Sequence, residues 1–524
     1  MRLKGVLVCS GLLAGTFVAL SQPAAHAAPT RYEAESSPAV CTGTIDSNHS
    51  GYSGSGFCNG NNATGAYAEF TVNAGTAGTA TLGVRFANGT TSARTADLIV
   101  NGSTVQSVSF EATGAWNTWV TKTLTVSLRS GSNTIRLNPT TSNGLANIDY
   151  IDVEAGGTTP PPSGSTLYVA PNGSDSAAGT ESSPTTLASA ITRIAPGGTI
   201  LMRGGRYNYS QTITIAAGNN GTSSARKKLS AYPGETPVLN FSAQSEASAN
   251  RGLAVNGSFW HVYGIVVERA GDNGIFVGGH NNIFERTVTR FNRDTGLQLS
   301  RMTSTTPRDQ WPSNNLVLSA VSHDNADSDG EDADGFAAKL TSGPGNVFRY
   351  AVAHNNIDDG WDLYTYADEG PIGAVTIEDS LSYENGTLSD GTQNTAGDRN
   401  GYKLGGEDVP VNHVIRRNFA YDNGKHGFTY NRNPGTMTVS NNVSIDNTER
   451  NFSFDAGSSV FRNNTSCRSS SGTNDRIVGD ADGTNQFWSG SNGSRCSSYT
   501  GSLGWSFAAD GRLVVTFGGR VVTP

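Results

Sequence analysis

Between about residues 262 and 452 the chain repeats one arrangement of apolar and polar positions. An Asn is preceded by apolar residues four and eight positions earlier and followed by a Gly and an aromatic or aliphatic residue. Asn292 carries Phe284, Val288, Gly296 and Leu297; Asn356 carries Phe348, Val352, Gly360 and Trp361; Asn423 carries Ile415, Phe419, Gly427 and Phe428. Asn447 has Val439 and Val443, with Asn451 and Phe452 closing the unit. Asn325 and Asn385 keep their apolar partners (Val317, Val321; Ile377, Leu381), but their pairs Gly335-Phe336 and Gly401-Tyr402 arrive late, after insertions. Val262, Val266 and Gly274-Ile275 fit with Ala270 in place of the Asn. A shortest spacing of 22–24 residues with variable insertions predicts a parallel β-helix, each coil lending short strands to stacked sheets. Leucine-rich solenoids require L-x-x-L-x-L, which is absent. Recurrent Asn at one corner predicts an internal ladder of side-chain amides.

The front of the chain follows a different period. Short alternating segments such as Ala66–Val72, Thr79–Phe86 and Ala96–Val100 are separated by Asn88-Gly89 and Asn101-Gly102 turns, which predicts a β-sandwich over residues 31–155. Residues 156–165 (GGTTPPPSGS) read as a linker, and 166–524 as the β-helix domain. Residues 184–194 form the one convincing amphipathic helix and are expected to cap the open end of the solenoid. The expected fold class is therefore all-β, a sandwich followed by a parallel β-helix with an internal Asn ladder.

Composition sharpens this picture. With 64 Gly in 524 residues and 15% charged residues, against about 25% in an ordinary domain, helical bundles and coiled coils are disfavoured. Arg2 and Lys4 precede the apolar run Gly5–Leu20 and then Ala25-His26-Ala27, the layout of a secretory leader over residues 1–27. A secreted, extracellular protein is expected, with no membrane span because no later apolar run is long enough. Cys41, Cys58, Cys467 and Cys496 remain after the leader and are expected to pair locally, Cys41 with Cys58 and Cys467 with Cys496. Net charge is −8, or −10 without the leader's two bases, so nucleic acid is excluded as a partner. A monomer is expected.

Placing charged residues in the repeat frame assembles a site. Asp334, Asp359 and Asn400 precede Gly335, Gly360 and Gly401, in one column on successive coils. Asp362 and Lys403 share the adjacent column, and neighbouring strands stand about 4.8 Å apart. Asp334, Asp358, Asp359 and Asp362 are thereby brought together with Lys403. Carboxylates this close repel unless protonated or metal-bound, and an oxygen-only set favours Ca²⁺ over Zn²⁺. The run DNADSDGEDADG (324–335) lacks the twelfth-position Glu of an EF-hand and is rejected as one.

The segments DADGFAAKL (332–340), NNIDDGWDLYT (355–365), GPIGAVTIEDSLSYENG (370–386) and NGYKLGG (400–406) resemble the polysaccharide lyase family 9 pectate lyases. LYVAPNGSDS (167–176) and PGGTILMRGGRY (196–207) resemble the start of the same family, and the likeness spans about 166–465. It implies a right-handed β-helix, a Ca²⁺ site on Asp334, Asp358, Asp359 and Asp362, and Lys403 as catalytic base. The implied reaction is β-elimination in pectate, a (1→4)-α-D-galacturonan. Lys339, Lys425 and Arg432 are the candidates for binding substrate carboxylates. A galacturonan hydrolase is the competing enzyme class, since Asp358-Asp359 and His426-Gly427 imitate part of its signature; its N-T-D and R-I-K elements are missing. A non-catalytic binding solenoid is the third reading.

Tyr32-Glu33-Ala34-Glu35, GSNTIRL (131–137) and NIDYI (147–151) resemble carbohydrate-binding module family 35, a jelly-roll sandwich. The resemblance implies a structural Ca²⁺ on Glu33, Glu35 and Asp149, and binding of uronic-acid-containing polysaccharide of the plant cell wall. Tyr52, Trp116 and Asn147 are the weaker candidates for touching that ligand.

Overall fold

The computed structural model describes residues 29–74, 78–129, 131–155, 166–394 and 396–524. The expected leader (1–27) and linker (156–165) lie outside them. The chain divides into two compact units, residues 1–159 and 160–524.

The first unit is a sandwich of a six-stranded and a five-stranded antiparallel sheet. Strict alternation decides which side chains meet: in Arg94–Val100 every second residue is buried, and Phe70, Val72, Leu82, Val84, Leu98, Ile135 and Leu137 fill the core. The Cys41–Cys58 disulfide joins a strand of one sheet (Val40–Cys41) to a strand of the other (Phe57–Gly60).

The second unit is built from three parallel sheets of twelve, ten and ten strands. A typical coil runs Ile283–Glu285, Val288–Arg290 and Leu297–Leu299, and each strand pairs with its counterpart one coil later, Leu316–Leu318, Val321–His323 and Phe336–Ala338. The expected ladder runs from Asn292 through Asn325, Asn356, Asn385 and Asn423 to Asn447. From Asn325 onward each Asn accepts, on its Oδ1, the side-chain N–H of the Asn one coil earlier at 2.8–2.9 Å, together with that residue's backbone N–H; Asn292 accepts the Ala270 N–H. A buried amide without partners would cost several kcal/mol; the ladder satisfies it coil by coil. Where a Gly closes the repeat this packing requires it, since a Cβ on Gly360 would sit 2.9 Å from the Asn385 amide and one on Gly401 2.8 Å from that of Asn423.

Two further ladders stand at the other corners, Asn282–Asn315–Asn346 and Asn418–Asn442–Asn464–Asn485. The helix spans Leu187–Arg193, is capped by Thr186, and buries Leu187, Ala190 and Ile191 against the first strands of the solenoid. Inside the third sheet Phe336, Trp361, Tyr402, Phe428 and Phe452 stack with centroids 4.5–5.1 Å apart. That column fixes the rotation of the strands whose opposite face carries the charged residues.

One expectation changes. Residues 166–524 do not all belong to the β-helix, whose last strand is Asp480–Ala481. Leu503–Phe507, Leu513–Phe517 and Arg520–Val522 form a three-stranded antiparallel sheet. Val352, Leu381, Phe419 and Val443 make the second sheet apolar on its outer side as well, and Val515 and Phe517 cover them.

Candidate functional site

The third sheet pairs Trp361 with Tyr402 and Asp362 with Lys403. Alternation then decides the rest: the aromatic residues enter the core, while Asp362 and Lys403 face a groove of about 330 Å³. At the preceding corner, Gly335 donates its N–H to the Asp359 carbonyl and Gly360 to that of Asn400, so Asp334, Asp359 and Asn400 form one column. Carboxylate oxygens of Asp334, Asp358 and Asp359 lie within 4.8 Å of one another, the one such group of three among the described residues. Asp362 stands beside this trio, linked to it through lysines. Lys403 Nζ lies 3.4 Å from Asp359, 3.7 Å from Asp362 and 3.1 Å from Asp398.

Burial pushes Asp334 and Asp358 well above the usual carboxylate range, and Asp359 up to about 7, with neighbouring carboxylates adding to each effect. Burial favours the neutral amine of Lys403, but Asp362, Asp359, Asp358 and Asp398 outweigh it and hold the ammonium well above an ordinary lysine. The cluster suits a hard divalent cation on three counts. Its donors are all oxygens, three carboxylates converge, and Asp359 Oδ2 is buried without a hydrogen bond. Asp358 Oδ1 is aimed by the backbone N–H groups of Asp398 and Arg399, and Asp359 Oδ1 by that of Asn400.

The three other basic candidates separate. Lys339 is not a surface arm: it is 7% exposed and its ammonium contacts Asp334 at 2.7 Å and Asp362 at 3.4 Å. Lys425 is partly exposed and pairs with Asp398 at 3.1 Å, so Asp398 bridges it to Lys403. Arg432 is exposed and pairs with Asp408. Three groove residues are absent from the sequence-derived candidates, Asp398, Tyr364 and Tyr366. Asp398 belongs to the inserted stretch, which has no register to read. Tyr364 places its ring 5.3 Å from Lys403 Nζ, with Tyr366 edge-on to it at 5.5 Å. Tyr364 follows Asp362 by two and was legible as facing the same side. Another cavity, of about 680 Å³, lies along Glu384, Leu388, Arg399 and Asp422.

In the first unit Glu33, Glu35 and Asp149 gather around the turn Ser53–Ser55. Ser53 donates its hydroxyl to Glu33 and its N–H to Asp149, and Ser55 N–H binds Glu35 at 2.8 Å. Asp149 is fully buried, paired with Arg85 at 3.1 Å, and pushed up to about 6 by burial. Ser53 is thus shared by Glu33 and Asp149, while Glu35 meets the same turn two residues on. Tyr52 packs on Phe57 at 5.7 Å, Trp116 lies near His49 at 6.2 Å with Arg94 over its ring, and Asn147 is buried at 3% exposure.

Fold and groove together define a parallel β-helix protein with a carboxylate–lysine site on one sheet. Residues 167–474 match the model described as "Pel9A-like, right handed beta helix region", and the chain belongs to that family. Residues 33–155 match "Carbohydrate binding module (family 6)". A protein named pectate lyase L from Paenibacillus polymyxa (strain SC2) is 54% identical over 324 residues, 62% of this chain and 72% of that protein. The solved structure of pectate lyase Pel9A is 33% identical, covering 64% of this chain and 82% of that one, with a TM-score of 0.56. A solved family 35 module from Cellvibrio japonicus Abf62 is 42% identical, covering 24% of this chain and 94% of that one, with a TM-score of 0.24.

Proposed function

We propose that the chain is a secreted pectate lyase that cleaves (1→4)-α-D-galacturonan by β-elimination, its front module binding uronic-acid-containing polysaccharide of the plant cell wall. The observation that carries this reading is the cross-strand pairing of Lys403 with Asp362 beside the Asp334–Asp358–Asp359 cluster, in a family with relatives named pectate lyases. Asp334, Asp358, Asp359 and Asp362 are the residues that would hold calcium. Calcium held there would supply positive charge, neutralising a substrate carboxylate and offsetting the aspartates that keep Lys403 protonated.

The C5 proton of a galacturonate unit is α to a carboxylate and poorly acidic while that group keeps its full charge. Lys403, as the free amine, takes this proton. The C5–H electrons form a C4=C5 double bond and the C4–O bond breaks, the departing oxygen taking a proton from solvent. Lys403 is aimed at one place by Asp359, Asp362 and Asp398 around its Nζ. Lys425 and Arg432 hold exposed or half-exposed acids and can exchange them for substrate carboxylates. Tyr364 and Tyr366 offer ring faces beside the reacting unit. A hydrolase reading leaves Lys403 without a task, since paired carboxylates alone serve that chemistry. Secretion is supported by the two disulfides. The Glu33, Glu35 and Asp149 turn is proposed as the front module's structural calcium site.

The test is to incubate the full chain with polygalacturonate, with and without Ca²⁺. An unsaturated product absorbing near about 235 nm is the expected outcome of proton abstraction α to a carboxylate. New reducing ends without that absorbance would instead identify a hydrolase.

A further inference from the structure

Seven successive coils turn from the second to the third sheet through a residue in the left-handed region, immediately before the ladder Asn or, in the first of them, Ala270. Arg269, Phe291, Asp324, Asn355, Glu384, Asp422 and Asp446 occupy this column with φ between 50 and 61°. The conformation suits Asp and Asn, whose short side chains bond locally, and suits a bulky side chain poorly. Three coils nevertheless carry another residue there, Arg269 and Phe291 on neighbouring coils and Glu384 further on. Phe291 is 37% exposed, with the Arg269 guanidinium 5.1 Å and that of Arg290 5.8 Å from its ring centroid. Arg290 is committed to Glu268 at 2.8 Å. The Arg269 side chain makes no ion pair or hydrogen bond among the described residues; its contact is with Phe291.

Arg269 and Phe291 line a cavity of about 280 Å³ with Arg293, Gln244, Ser242 and Asp324. The one carboxylate on its wall is already engaged, Asp324 bonding His323 at 2.7 Å and the Ser389 N–H at 2.8 Å. Arg293 meets Glu246 only at 3.5 Å. The insertion separates this cavity from the catalytic groove: Leu388 lines the one, Ala396 and Asp398 the other. A partly exposed aromatic ring, edge-on to His323 at 5.9 Å, beside a guanidinium without an ion pair is complementary to a uronate unit, whose C–H face stacks on a ring and whose carboxylate takes two N–H bonds.

We propose that this cavity is a second polysaccharide-binding site on the β-helix, in which Phe291 stacks on a sugar ring and Arg269, with Arg293, binds its carboxylate. The inference rests on the polyuronide reading of the groove and adds a hold on the polymer away from the cut. Asn suits the left-handed backbone better than either native residue, so the double variant Arg269→Asn/Phe291→Asn keeps the fold while removing ring and charge. In the full chain its apparent KM for polygalacturonate is expected to rise about 3-fold or more, with kcat and KM for tetragalacturonate unchanged, because a short chain fills the groove alone. In a Lys403→Ala background the same pair of changes is expected to weaken retention on immobilised polygalacturonate, the front module being present in both proteins. An unchanged polymer KM, an equal change on tetramer and polymer, or unchanged retention overturns the proposal. A wild-type chain that makes no unsaturated product refutes the lyase reading instead, and the retention measurement still decides the site.

Discussion

Lys403 and Asp362 are cross-strand partners on successive coils, Nζ to Oδ2 3.7 Å, and each follows a core aromatic residue, Tyr402 and Trp361. The aromatic stack places the two charged groups on the groove side by alternation, whatever the length of the insertion between them.

Lys403→Ala is therefore expected to abolish elimination, by about 10²- to 10⁴-fold in kcat, the range of a general base. Absorbance of the unsaturated product measures the rate, and an unchanged thermal midpoint distinguishes loss of chemistry from loss of fold.

The carboxylates around Lys403 favour its charged form, whereas a base must be neutral. Activity is expected to rise with pH into the alkaline range and to vanish in excess chelator. An optimum below about pH 6 would contradict a lysine base, whose ordinary value is near 10.4.

Asp359 is raised to about 7 in the folded chain from an unfolded value of 3.8. The folded state thus binds the extra proton between these values, and in chelator its contribution to stability is expected to fall as pH rises from about 4 to 7. The shift corresponds to about 4 kcal/mol at most. Asp359→Asn should flatten that slope in thermal melts and remove the stabilisation that added Ca²⁺ gives the native chain.

Asp398 joins Lys403 to Lys425 at 3.1 Å each, and its backbone N–H caps Asp358. Asp398→Ala is expected to lower kcat about 10-fold with little change in KM, as loss of positioning does. Asp398→Asn, which keeps the hydrogen-bond acceptor, should recover part of the rate.

Asn356 bonds Asn325 on one side and Asn385 on the other. Asn356→Ala leaves the amides of both neighbours short of a partner in the core. It is expected to cost about 2–4 kcal/mol, read from chemical denaturation.

Much of this protein was legible in one dimension because its fold is periodic. Once the Asn frame was found, Asp334, Asp359 and Asn400 fell into one column and Asp362 beside Lys403, since parallel pairing carries a fixed offset from coil to coil. The Gly after each corner belonged to the same logic, as the space the next Asn requires. Where periodicity stops, so did that legibility. Asp398 sits in an insertion with no register, Lys339, a candidate for substrate carboxylates, is held by Asp334 and Asp362, and residues 503–522 fold back as an antiparallel sheet. Local spacing determined the coils, the ladder and the column of acids. The charge states in the groove, the bridge through Asp398 and the cover over the second sheet depend on burial and on contacts between segments far apart in the chain, which only the packed solenoid brings together.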